Sequence, residues 1–255
     1  MIDLKDVTFN IPVKIDSRDR LNNLKLSINL IKSYFDTNIL VCEQEKSKCK
    51  NVAEKHGVKY LQLRGYPGLV YKTKMLNIMA NNSDTPYIAL HDTDVISNAE
   101  NYLKAVEYLR NNEAQVALPY SGTCYDVPKK FHKNILKEKS LESVGDIRVN
   151  GTLMNPIAVG GVVFFDRQAF IEGGMANENF KSWGWEDIEL ITRFEILGYQ
   201  IKKVDGILYH LEHKRTPDSS VGHKYHKKNE KEFRRIKRLN KIELRKEVEK
   251  WEWLK

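Results

Sequence analysis

Cysteine is scarce, with Cys42, Cys49 and Cys124 the only three in 255 residues. Their odd number and the lack of any Cys-x-x-Cys spacing exclude a disulfide framework and a zinc knuckle. Long apolar runs are missing too: the longest, Val159 to Phe165, contains two glycines and falls far short of the ~20 residues of a spanning helix. Met1 to Val13 carries Asp3, Lys5 and Asp6 where a signal peptide has a basic segment followed by an apolar one, so a cytoplasmic location is expected. No Gly-x-Gly-x-x-Gly or Walker-type loop occurs, which argues against dinucleotide oxidoreductases and P-loop NTPases. With only 14 Gly and 7 Pro, collagen-like and low-complexity chains are excluded as well.

What is present suits one sizeable α/β domain: hydrophobic residues make up 41% and charged residues 30%. The net charge of +8 is unevenly spread. Residues 211 to 255 hold 15 Lys and Arg against 8 Asp and Glu, which leaves the rest of the chain nearly neutral. In this tail Phe233, Ile236, Leu239 and Ile242, then Leu244, Val248 and Trp251, recur at three- or four-residue steps, the pattern of a basic amphipathic helix. We therefore expect a body of residues 1–222 and a helical extension of residues 223–255. The extension has three readings. Its apolar side packs on the body; or it attaches peripherally to an anionic membrane face, with Trp251 and Trp253 at the interface; or it binds nucleic acid, which the absence of a nucleic-acid motif disfavours, so no such partner is expected.

Along the body, strands and helices alternate. A strand at Phe9 to Val13 precedes a helix marked by Leu21, Leu24, Ile28, Ile31 and Phe35. Further strands are expected at Ile39 to Cys42, Lys59 to Leu63 and Tyr87 to Leu90, with helices at Lys46 to His56 and Lys72 to Ala80 between them. Such alternation predicts a mostly parallel central sheet flanked by helices, with ligands beyond the carboxyl ends of its strands. The second half is less regular. It has a helix at Ala99 to Arg110, a strand at Gln115 to Leu118, an irregular polar stretch from Cys124 to Asn155, a strand at Ala158 to Phe165, a helix at Glu186 to Leu197 and a strand at Gln200 to Val204.

Three groups of residues carry chemistry. Asp92-Thr93-Asp94 sets two carboxylates just past a buried strand, where they suit a divalent cation holding a diphosphate, or else cap a turn. The 14 aspartates predict roughly 0.8 Asp-x-Asp occurrences by chance, so the strand context gives the motif its weight. In Trp183-Gly184-Trp185-Glu186-Asp187 two acids open a helix beside two indoles. Acids there serve the helix dipole, yet indoles beside a carboxylate also suit a sugar ring and proton transfer from a hydroxyl. The third group, Tyr209-His210-Leu211-Glu212-His213, reads as a loop. An imidazole from it, His210 or His213, would complete with Asp94 a mixed oxygen and nitrogen site for Mn2+.

In this order and spacing, Ile11-Pro12-Val13-Lys14, Lys72-Thr73-Lys74-Met75-Leu76-Asn77, Asp92-Thr93-Asp94, Gly160-Gly161-Val162 and Trp183-Gly184-Trp185-Glu186-Asp187 resemble the GT-A fold glycosyltransferases. The likeness is to the β-1,4-galactosyltransferase and bacterial capsule-type group, and it covers about Val7 to Arg215. The resemblance implies a GT-A (nucleotide-diphospho-sugar transferase) fold in residues 1–222. It implies inverting transfer of a hexose, galactose or N-acetylgalactosamine, from a UDP-sugar to a saccharide or glycan hydroxyl, with Mn2+ or Mg2+ as cofactor. It assigns Pro12, Val13, Lys14, Glu43, Lys72, Asp92, Gly160, Gly161 and Trp183 to the donor, Asp94 with His210 or His213 to the metal, Glu186 to sugar hydroxyls and Asp187 to the general base. It further implies a mobile Ser182 to Trp185 loop that closes over the donor. Two other readings compete. One is a sugar nucleotidyltransferase of related fold, disfavoured because Ile11 to Arg20 has no glycine; the other is a non-catalytic module that binds through the basic tail.

Overall fold

The computed structural model describes residues 1–214 and 223–255. Strand β1 (Ile2–Val13) leads to α1 (Arg18–Tyr34), β2 (Phe35–Gln44), α2 (Lys50–Lys55), β3 (Lys59–Leu63), α3 (Lys72–Asn81), β4 (Tyr87–His91) and the short β5 (Val95–Ile96). There follow α4 (Ala99–Arg110), β6 (Val116–Leu118), β7 (Thr123–Val127), α5 (Lys129–Glu138), α6 (Ile147–Asn150), β8 (Thr152–Asn155), β9 (Val162–Asp166) and α7 (Arg167–Glu172). The chain continues through α8 (Glu186–Leu197), β10 (Ile201–Lys203), β11 (Ile207–Leu211), α9 (His226–Lys237) and α10 (Lys241–Val248).

Among the described residues, seven strands form a sheet in the order β10-β6-β9-β4-β1-β2-β3. Pairing is parallel except around β9, which runs antiparallel to β4 and β6. The ends of β1 and β4 and the start of β9 therefore meet at one edge. A smaller sheet, β5-β11-β7-β8, lies beside that edge. Helix α1 begins where the side chain of Ser17 accepts a hydrogen bond from Arg20 N, and it buries Leu24, Ile28 and Ile31, the stripe its spacing prescribes.

Three expectations change. The stretch Cys124 to Asn155 is ordered, holding β7, α5, α6 and β8, and Val127, Ile135, Leu141, Val144 and Ile147 build a second core with Leu26, Leu30, Ile96 and Leu211. Its apolar residues are too sparse for a periodicity, because one small core serves several short elements. The segment Tyr209 to Leu211 belongs to a strand, β11, held by parallel pairing to β7. The tail is two helices, since Asn240 forms a capping box with Glu243 and starts α10 afresh.

The apolar side of the tail is consumed by packing. Ile236, Leu244, Val248 and Trp251 cluster with Leu197 of α8, and Trp253 packs against them. These contacts follow the first reading of the tail, packing on the body; Trp251 and Trp253, the indoles of the membrane reading, lie against the domain. No helix among the described residues is long and apolar enough to cross a membrane.

Beneath Trp251 lies Arg193, with 0% of its surface exposed. Its Nε donates to Glu189 Oε1 at 2.7 Å, its Nη atoms donate to the carbonyls of Gly173 and Met175, and its guanidinium lies 5.0 Å from the Trp251 ring centroid. Replacing Arg193 by Met strands the Glu189 charge in the core, and we expect a loss of about 3–5 kcal/mol in urea unfolding. Adding Glu189→Leu should recover much of it. A single variant as stable as the wild type would show that Glu189 finds water or a proton at little cost.

Candidate active site

At the shared strand edge lies a cavity of about 450 Å³. Its floor is Asp92-Thr93-Asp94, fixed from four sides. Asp92 N donates to Gly161 O at 2.6 Å, and Leu211 N donates to Asp94 O at 2.7 Å. Thr93 Oγ1 donates to Pro12 O at 3.2 Å, and Ser27 Oγ to Thr93 O at 3.0 Å. The backbone that carries the two carboxylates is thus tied to β1, α1, β11 and Gly161 just before β9.

Asp94 gathers cations and imidazoles. Its Oδ2 accepts from Arg20 Nη1 at 2.7 Å and lies 3.0 Å from His213 Nε2, while its Oδ1 lies 3.9 Å from His210 Nε2. Antiparallel pairing of β11 with β5 sets His210 opposite Val95 and so brings it to Asp94. Each imidazole has Nδ1 engaged elsewhere: His210 with Asp126 Oδ1 at 2.5 Å, His213 with Lys214 O at 3.1 Å. Both Nε2 atoms are thus turned toward one carboxylate, and one ligand atom from each of the three residues lies within 4.8 Å of the others. Burial works to raise the pKa of Asp94, but the His213 hydrogen bond and the His210 and Arg20 charges outweigh it and hold it well below the usual range. The Asp94 hydrogen bond raises His213 in turn, against its burial. One carboxylate and two imidazoles fit Mn2+, which accepts mixed ligation, better than Mg2+, which prefers oxygen alone.

A second cluster surrounds Lys72 at the start of α3. Its Nζ lies 2.9 Å from Asp92 Oδ1, 3.1 Å from Asp187 Oδ1 and 3.9 Å from Glu186 Oε1. Burial disfavours the ammonium, yet the Asp187, Asp92 and Glu186 charges prevail and raise its pKa, so Lys72 stays charged. Glu186 is pushed up to about 7 by burial and then by the Asp187 charge. Its Oε2 accepts from Gly184 N at 2.8 Å, which ties the loop to the helix start. Asp187 lies so close to Gly160 that a Cβ there would come within 1.9 Å of Oδ2. Gly161 has φ +87 and leaves a Cβ only 2.9 Å from Leu208, so the pair is held to glycine by its neighbours in the fold.

The indole loop is strained and clamped. Ser182 and Trp185 have φ of 61 and 72, a left-handed conformation that costs roughly 1–3 kcal/mol per residue and persists only where surroundings enforce it. Helix α9 supplies that enforcement. Asn229, 1% exposed, donates to the carbonyls of Lys181 and Gly184 and accepts from Lys181 N. His226 stacks on Trp183 at 6.1 Å, and Phe233 on Trp185 at 5.3 Å. The expected hinge is thus tied down by the tail in this conformation.

Pro12, Val13, Lys14, Lys72, Asp92, Asp94, Gly160, Gly161, Trp183, Glu186, Asp187, His210 and His213 all line the cavity. Glu43 does not, which corrects its placement beside the donor. It is 0% exposed, and its carboxylate accepts from Lys48 N, Cys49 N and Tyr60 Oη at 2.9–3.0 Å, fixing the turn after β2. Sequence reasoning missed Arg20, Asp126, Asn229 and His226. Arg20 had a signal, since a cation in the first turn of a helix opposes the macrodipole. Asp126 had none, lying in the stretch read as irregular.

Residues 149–214 match the family model described as the N-terminal domain of galactosyltransferase. That segment holds both glycines, Trp183, the two acids and both histidines. Among solved structures, the chain is similar to glucosyl-3-phosphoglycerate synthase from Mycobacterium tuberculosis in complex with Mn2+, UDP-glucose and phosphoglyceric acid, at 15% identity and TM-score 0.52 over 83% of this chain and 73% of that one. A mannosyltransferase from Pyrobaculum calidifontis in complex with GDP-Man and Mn2+ is similar at 16% identity and TM-score 0.54, over 82% of this chain and 58% of that one. The catalytic domain of Drosophila β1,4-galactosyltransferase 7, in complex with xylobiose, aligns at 16% identity and TM-score 0.49 over 80% of this chain and 65% of its own. No curated protein sequence matches this chain. The fold is the GT-A glycosyltransferase fold. The segment that carries the acids and histidines is galactosyltransferase-like.

Proposed function

We propose that this protein is a metal-dependent inverting glycosyltransferase that moves a hexose, galactose or N-acetylgalactosamine, from a UDP-sugar to a hydroxyl of a saccharide or glycan. The observation that supports this most is a single cavity lined by a one-carboxylate, two-imidazole set and, with it, by an acid beside an indole. Asp187 accepts the proton of the acceptor hydroxyl as its oxygen bonds to the anomeric carbon and the bond to the diphosphate breaks on the opposite face. One displacement inverts the configuration. Lys72 holds Asp187 and Asp92 in place between them, and Arg20 and Lys14 add positive charge for the diphosphate. Asp94, His210 and His213 hold the cation, which when bound neutralises charge building on the departing UDP. Trp183 offers a flat apolar face to a sugar, and Met154, Ile157 and Ile188 give the same cavity an apolar lip.

Thermal melting against UDP, GDP, CDP and their sugar conjugates, with and without Mn2+, tests the reading. UDP at 100 times its Kd should stabilise the wild type by about 2.7 kcal/mol, and only with Mn2+. Asp94→Ala should abolish the shift. If no nucleotide moves the melt under any condition, the carboxylate and imidazole cluster is a structural ion pair and the transferase reading falls.

A further inference from the structure

We propose that Asp126 is a positioning residue that aims His210 at the cation, an inference resting on the metal reading above. Asp126 lies on β7 directly across the parallel ladder from His210 on β11. Its Oδ1 sits 2.5 Å from His210 Nδ1, an imidazole–carboxylate hydrogen bond in which Nδ1–H donates. In the neutral ring that bond fixes the tautomer and leaves the lone pair on Nε2, the atom that faces Asp94. The 3.9 Å from Nε2 to Asp94 Oδ1 is too long for a hydrogen bond and leaves room for a cation that both atoms would hold. His213 differs, because its Nδ1 meets only the neutral carbonyl of Lys214. The two imidazoles are therefore held unequally: a carboxylate side chain fixes the ring of His210, while His213 relies on the backbone.

A purely structural role for Asp126, joining β7 to β11, predicts a change in stability alone. The positioning role predicts a change in cation affinity that passes through His210. The carboxylate of Asp126 is 32% exposed, so its removal leaves no buried hole. Mn2+ binding is read directly from the electron paramagnetic resonance of the free ion, in the whole chain and without nucleotide. Asp126→Ala should weaken Mn2+ binding about 10–100-fold, and Asp126→Glu, which keeps the carboxylate, should regain most of it. In a His210→Ala background, Asp126→Ala should change nothing further. Wild-type affinity in Asp126→Ala, or an equal loss in the His210→Ala background, overturns the proposal. A wild-type chain that leaves Mn2+ free overturns the metal reading itself, and this proposal with it.

Discussion

Asp187→Asn is expected to lower the rate of sugar transfer by about 10²–10⁴-fold, the usual worth of a general base, while UDP binding with Mn2+ stays close to wild type. The amide keeps the shape of the carboxylate, so it fits the space that Gly160 leaves. Lys72 retains Asp92 as its partner at 2.9 Å, and the local structure should hold. What is lost is the capacity to take a proton. UDP release measured against acceptor concentration should show the fall in kcat with little change in KM. A rate within twofold of wild type would reduce Asp187 to an acid that complements the dipole of α8, the ordinary role of a carboxylate at a helix start.

Ending the chain at Gly222 should leave no stable core behind. Phe233, Ile236, Leu244, Val248 and Trp251 are each 8% exposed or less, and burying one such side chain contributes about 1.5–3 kcal/mol. Together they are of the order of a whole domain's net stability of roughly 5–15 kcal/mol. The truncation also uncovers Arg193, which lies 5.0 Å from the ring of Trp251, and removes the three hydrogen bonds of Asn229 to the strained indole loop. Residues 223–255 thus complete the body against which the sequence alone sets them as an extension. We expect the truncated chain to lose its cooperative melt by circular dichroism and to bind no nucleotide. A truncated chain that melts and binds UDP like the full one would show that α8 can close its own surface, and that the tail serves a partner.

Local pattern was enough for much of this protein. The spacing of Leu24, Ile28 and Ile31 set α1, the apolar run before Asp92 set β4, and the alternation of strands and helices put Asp92 and Asp94, with Glu43, at strand ends. Those features repeat within a few residues and reflect the geometry of a single helix or strand. The choice between His210 and His213 lay elsewhere. Both face Asp94, His210 through the antiparallel pairing of β11 with β5 and His213 from the segment just past β11, and no local periodicity encodes a register between strands so far apart in the chain. Glu43 sits at a strand end like Asp92, yet the turn after β2 consumes its carboxylate, a contest between backbone donors and solvent that only the folded turn settles. The basic helices of the tail likewise hid their purpose. Charge and amphipathicity fixed that they have an apolar side, but what covers it depends on the surface of α8, which exists only once the sheet is built.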